Sequence, residues 1–309
     1  MKSTVMKMWL GASILAGISG IATTPAVAGS LTGATLIGDD YYKIASDGTE
    51  TYIDQNAILS TILQGDASDP GGNVELFASS ETLTNSQFDN YTDVTSLTGQ
   101  IGGKDITLSS LTLADWKSDL DSDGITLGQE WVSDALTAHG LGSYASSNFI
   151  VNQFYTLFSD NGGLQRFSDP NISYVNQNAT GHISIGLAGH LDARDAFEDT
   201  FDKLEQMIAL LSPGFQLPLP PSIRASEIVK VEYNGKTEYL YGFTPTASGL
   251  VSREDGISHN ATYQVAFLGA PPGPSSSDPQ PVPESSTVLG LIALGGLFTA
   301  GGKLRKSNS

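Results

Sequence analysis

Cysteine is absent from the 309 residues, which removes disulfides, iron–sulfur clusters, Cys-ligated zinc and a thiol nucleophile together. Basic residues are scarce: Lys and Arg number 15 against 33 Asp and Glu, for a formal net charge of −18 at pH 7. Five of those bases (Lys2, Lys7, Lys303, Arg305 and Lys306) sit at the two ends, so the middle of the chain is more acidic still. Such a surface repels nucleic acid, whose binding relies on Lys and Arg to neutralise phosphate. It has no electrostatic hold on an anionic membrane and favours solubility, cations and cationic partners. Histidine is rare too, and His139, His182, His190 and His259 show no metal spacing. No phosphate loop or dinucleotide fingerprint occurs. A nucleophile elbow in Gly181–Gly186 fails because it needs glycine at position 182 and would place Ser184 on a turn rather than in a strand. Paired carboxylates are too plentiful for any one pair to mark a glycosidase site.

The ends carry addresses. Lys2 and Lys7 precede an apolar stretch from Met8 to Ala22, and Ala26-Val27-Ala28 follows Pro25. That is a secretory signal, residues 1–28, with small side chains at Ala26 and Ala28 and a mature chain that starts at Gly29. At the other end, residues 269–283 (GAPPGPSSSDPQPVP) form a Pro/Ser/Gly-rich linker with nothing to bury. Pro283-Glu284-Ser285 then leads into Val288–Gly302 and the basic Lys303-Leu304-Arg305-Lys306. Fifteen helical residues at 1.5 Å each reach only about 22 Å, short of a ~30 Å hydrocarbon core. A short transmembrane helix of this kind suits transient lodging, with its basic end held on the cytoplasmic side.

This tail, residues 284–309 with Pro283 before it, resembles the PEP-CTERM sorting signal of Gram-negative bacteria, with Ser285 where the family usually has proline. The resemblance implies signal peptidase and an exosortase-type transpeptidase as partners, with processing near Pro283-Glu284. The segments at 162–177, 185–190, 225–241 and 248–260 resemble an uncharacterised family of PEP-CTERM proteins common in cyanobacteria. That family implies a cell-envelope or extracellular-matrix location, association with exopolysaccharide or biofilm, and no established activity.

Residues 29–268 remain as an exported acidic domain. Apolar residues Phe197, Phe201, Leu204, Ile208 and Leu211 at spacings of 4, 3, 4 and 3 predict a helix from Asp192 to Leu211. A second helix spans Leu127–His139, opened by a Thr126/Gln129 capping box and ended by Gly140. A third, Ser147–Phe158, is apolar on more than one side and so is expected deep in the core. A shorter one falls at Gln55–Leu63. Asn234-Gly235 between Glu227–Tyr233 and Lys236–Phe243 predicts a hairpin that sets Val229 opposite Leu240. Further strands are expected at Ile172–Gln177, His182–Leu187, Ala261–Leu268, Ala34–Ile37, Tyr41–Ile44 and Val74–Ala78. The fold class is α+β, an antiparallel or mixed sheet with packed helices, flanked by the signal helix and the short C-terminal transmembrane helix.

One internal motif carries chemistry. Asp119 to Glu130 fits D-x-[DN]-x-[DN]-G-x₅-E at every specified position. Calcium takes six to eight oxygens, and Asp119, Asp121 and Asp123 offer carboxylates from one turn. Gly124 allows the bend, the Ile125 carbonyl adds a ligand, and Glu130 closes the shell. Against this, Thr126 stands where an EF-hand carries a branched aliphatic, no sister loop exists to pair with, and Leu127 brings no side-chain oxygen. A solvated acidic turn capping the next helix would use the same residues. Three functions stay open: a non-enzymatic structural or adhesive matrix protein, which we take as the main reading; a Ca²⁺-dependent carbohydrate-binding module; and a secreted hydrolase with an unrecognised site.

Overall fold

The computed structural model describes residues 27–194 and 220–272, with Lys203 and Gln206 between them. The fold is α+β and mostly β. The larger sheet runs in the order β12 (Pro245–Ala247), β14 (Ala261–Leu268), β9 (His182–Gly189), β8 (Asn171–Asn178), β5 (Gly72–Leu76), β3 (Tyr41–Ser46), β4 (Glu50–Ile53) and β13 (Val251–Ser252), and β1 (Val27–Ser30) pairs with β8. It is mixed, because β13 lies parallel to β4 while the other pairs are antiparallel. The smaller sheet is wholly antiparallel: β11 (Lys236–Leu240), β10 (Val229–Tyr233), β7 (Lys104–Ser109), β6 (Ser96–Ile101) and β2 (Thr32–Ile37).

The two sheets share one core. Val74, Leu76, Ile172, Ile185 and Val265 from the larger sheet meet Leu97, Ile106, Leu108, Val229 and Val231 from the smaller, all nearly or fully buried. Alternation explains the choice: Val229 and Val231 go into this core, while Lys230 between them points the other way, to Asp115. Asn234 and Gly235 take positive φ (51° and 76°), as a tight hairpin turn requires, and Val229 pairs with Leu240 as the turn predicts.

Helices build a second core. They are α2 (Asn85–Phe88), α3 (Leu113–Trp116), α4 (Leu127–Ala138), α5 (Gly142–Ala145), α6 (Asn148–Asp160) and α7 (Gly163–Arg166), whereas α1 (Leu59–Ile62) packs Ile62 into the core between the sheets. Trp131 of α4 stacks on Phe158 of α6 at 4.9 Å between ring centroids and meets Phe167 edge-on at 4.8 Å. The Thr126/Gln129 capping box is formed, so α4 starts where its sequence says.

Two expectations change. Helix α6 is not deep in the core: only Val151 and Phe158 are buried, and Phe149 is 61% exposed. The helix lies on the surface with one face turned in. The Gln55–Leu63 helix shrinks to α1. The Asp192–Leu211 helix lies mostly outside the described residues; Asp192 itself accepts the N–H groups of Arg194 and Ile223 at 3.0 and 2.9 Å. No helix among the described residues is long and apolar enough to cross a membrane.

Both chain ends of this domain meet at one end of β8. Val27 pairs with Asn178, and Leu268 pairs with His182 across the β8–β9 turn. The first linker residues are tied there as well. Gly269 N–H donates to the Gly181 carbonyl at 3.0 Å, Gln177 Nε2 donates to the Ala270 carbonyl at 2.7 Å, and Ala270 N–H donates to the Tyr233 hydroxyl at 3.2 Å.

Candidate functional site

The acidic loop leaves α3 and enters α4. Leu127 N–H donates to the Ser118 carbonyl at 2.9 Å and draws its ends together. Inside, Asp119 accepts from the N–H of Asp123 (3.1 Å) and of Gly124 (2.9 Å), and Asp123 accepts from the N–H of Ile125 at 2.9 Å. Ser122 and Gly124 take φ of 56° and 87°. Only glycine adopts the second of these without strain. The turn brings Glu130, on the first turn of α4, within the field of Asp119, Asp121 and Asp123. Burial first, then the carboxylates of Asp121, Asp123, Asp134 and Asp119, push the Glu130 carboxyl up to about 7. The donor set is all oxygen, which suits calcium. Among the described residues, however, no three Asp, Glu or His side chains converge closely enough to ligate one ion as they stand.

The loop is anchored from behind. Asp115, 7% exposed, accepts Lys230 Nζ at 2.9 Å, the Tyr239 hydroxyl at 2.7 Å, and the Thr112 N–H and hydroxyl at 2.8 Å each. This joins α3, and with it the start of the loop, to β10 and β11.

The remaining sequence-predicted residues scatter. Ala26, Pro283, Glu284 and Ser285 lie outside the described residues; Ala28 and Gly29 fall in β1, where Gly29 pairs with Gln177. His139 uses both ring nitrogens structurally, one on the Ala135 carbonyl at 2.7 Å and the other accepting Arg224 N–H at 2.9 Å. His259 Nδ1 bonds the Thr51 hydroxyl at 2.7 Å. A cavity of about 100 Å³ between α4, α6 and Pro220–Ala225 is lined mostly by apolar side chains such as Leu136 and Phe154, with His139 also in its wall and the Trp131 Nε1–H buried without a partner.

Sequence reasoning missed a second acidic cluster, at the end of β8 away from the linker. Glu75 on β5 lies directly across from Asn171 on β8. Asn171 donates its main-chain N–H to Glu227 Oε2 at 2.8 Å and its Nδ2 to the same carboxylate at 3.3 and 3.4 Å. Asp169, 4% exposed, receives the Ser80 hydroxyl on Oδ2. Burial holds the carboxyls of Asp169 and Glu227 well above the usual carboxylate range; Glu227 and Glu75 add to it at Asp169, and Glu75 at Glu227. Burial, with Glu81, Glu254 and Asp40, pushes Glu75 up to about 8. The side-chain oxygens Asp169 Oδ1, Asn171 Oδ1 and Asn73 Oδ1 and the Ser173 hydroxyl are buried without partners. Ser173 is the extra residue of a bulge between Ile172 and Tyr174, an irregularity that often marks a site.

No protein-family model matches the chain, nor does any curated protein or solved structure.

Proposed function

We propose that the chain is an exported, exosortase-sorted protein of the cell envelope or extracellular matrix, with a structural or adhesive role and no catalysis of its own. It acts in association with exopolysaccharide or biofilm material. The observation that carries this is the tail: Pro283-Glu284-Ser285, an apolar segment too short for a lasting span, and a basic end. Signal peptidase removes residues 1–28, and the tail lodges briefly as a short transmembrane helix before an exosortase-type transpeptidase acts. The arrangement of the domain supports the reading. A chain cut before Gly29 keeps the Ser30–Asn176 side-chain bond at 2.9 Å and the Leu31–Val175 main-chain bond at 3.0 Å. The first linker residues and the mature N-terminus lie at the same end of the domain. The acidic loop adds a calcium staple to the helical layer.

The test is sorting itself. Replacing Pro283 and Glu284 by Ala in the native host retains the protein in the inner membrane as a precursor, while the parent reaches the outer surface or medium. Equal fractionation of the two contradicts the proposal. A Ca²⁺-dependent carbohydrate-binding module is the second reading, and it rests on the Asp119–Glu130 sequence motif. Calorimetry with host polysaccharide, with and without chelator, separates it from a purely structural role.

A further inference from the structure

The cluster around Asp169 lacks something the acidic loop has, which is free access to water. Asp169 and Asn171 are 4% and 8% exposed, and each leaves one side-chain oxygen without a partner. Asn171 is not free to turn that oxygen elsewhere, because its Nδ2 is held on Glu227 and its main-chain N–H on the same carboxylate. Asp169 is fixed likewise by Ser80 on its other oxygen. No ion pair among the described residues reaches Asp169, Glu227 or Glu75; the bases that pair at all are Arg166 with Glu81, Lys230 with Asp115, and Arg253 with Asp47 and Glu50. Buried carboxylates without a counter-charge and buried oxygens without donors both cost free energy. A hard cation relieves both at once.

The geometry points to a divalent-cation site in which Asp169 Oδ1, Asn171 Oδ1 and the Glu227 carboxylate are the protein ligands and calcium is the ion. The set is oxygen only, mixes carboxylate with amide carbonyl, and offers no nitrogen or sulfur, which selects against zinc and copper. Glu75 is not one of the ligands. Its place is across from Asn171, where it adds negative charge and can hold an ion-bound water. Glu75 and Glu227 are both partly exposed, so water and ions have a way in. Behind them, Asn73 Oδ1 and the bulged Ser173 hydroxyl are unpartnered polar groups able to hold further coordinated water. The site is separate from the acidic loop and does not depend on how the chain is sorted. It pins β8 to the segment that enters β10, and so one sheet to the other.

Calcium calorimetry on the purified mature protein carrying Asp119→Ala and Glu130→Ala, which silence the loop, tests this. One ion is expected to remain. Adding Asp169→Asn and Glu227→Gln should weaken that binding at least tenfold. These replacements keep shape and remove charge, so in chelator the variant melts no lower than its parent, whereas calcium raises the melting temperature of the parent alone. If the loop-silenced parent binds no ion, the cluster holds protons only and the inference falls. It falls equally if Asp169→Asn with Glu227→Gln leaves the bound ion unchanged.

Discussion

Replacing Asp115 by Ala removes the one acceptor on which four donors converge. What remains is a Lys230 ammonium one-quarter exposed, a Tyr239 hydroxyl left with Ser118 alone, and a Thr112 N–H without its acceptor. Breaking a buried ion pair from one side costs about 3–5 kcal/mol, because the group left behind stays desolvated. Lys230→Met is the milder change. Asp115 keeps Tyr239 and Thr112, and water already reaches the ammonium, so the loss is about 1–2 kcal/mol. The double variant should be no worse than Asp115→Ala alone, since it also removes the stranded cation. Urea unfolding of the mature protein at pH 7 measures all three. The pH dependence has a definite sign. Burial raises the Asp115 carboxyl, but the hydrogen bonds from Tyr239, Lys230 and Thr112 outweigh it, and the net effect is downward from 3.8. The contribution is therefore complete above that value and is lost as pH falls below it. An Asp115→Ala cost under about 1 kcal/mol, or a Lys230→Met cost equal to it, would refute the asymmetry.

Asp119→Ala with Glu130→Ala should abolish the rise in melting temperature that calcium gives through the loop; an unchanged rise would reduce the loop to a turn. Gly186→Ala places a methyl 2.2 Å from the Tyr174 ring, which is 1% exposed and tied to Gln264 at 3.0 Å. Overpacking of this kind costs about 1–3 kcal/mol, and a melting temperature unaltered by the change would contradict the packing. Burial holds the His259 imidazole down to about 4, so the unfolded chain takes up its proton first and stability falls as pH drops from 6.5 towards 4. His259→Asn tolerates the residue's positive φ of 63° and should flatten thermal stability across that window; a slope as steep as the parent's would sink the assignment.

What could be read from the sequence was contiguous. The Asn234-Gly235 turn and the Thr126/Gln129 box each state their geometry within a few residues, and each is formed. The β6–β7 hairpin was also there to be read, as Gly102-Gly103 between two strands, but Gly99, Gln100 and Asp105 blur its alternation. Strands β12 and β13 are three and two residues long and have no period to detect. For α6 the apolar count misled: Phe149 adds to hydrophobicity without facing the core. The Asp169 cluster was invisible for a different reason. Its members come from β5, the start of β8 and the approach to β10, and only the register that sets Glu75 against Asn171 brings them together. In a chain with 33 acidic residues, no local pattern sets those three apart.

The account turns on a chain trimmed at both ends and delivered outside. Intact-mass analysis of the protein recovered from its native host measures this directly. A species that starts at Gly29 and ends near Pro283-Glu284 is the predicted result. A single species that retains Val288–Gly302 and stays embedded in the membrane would contradict it.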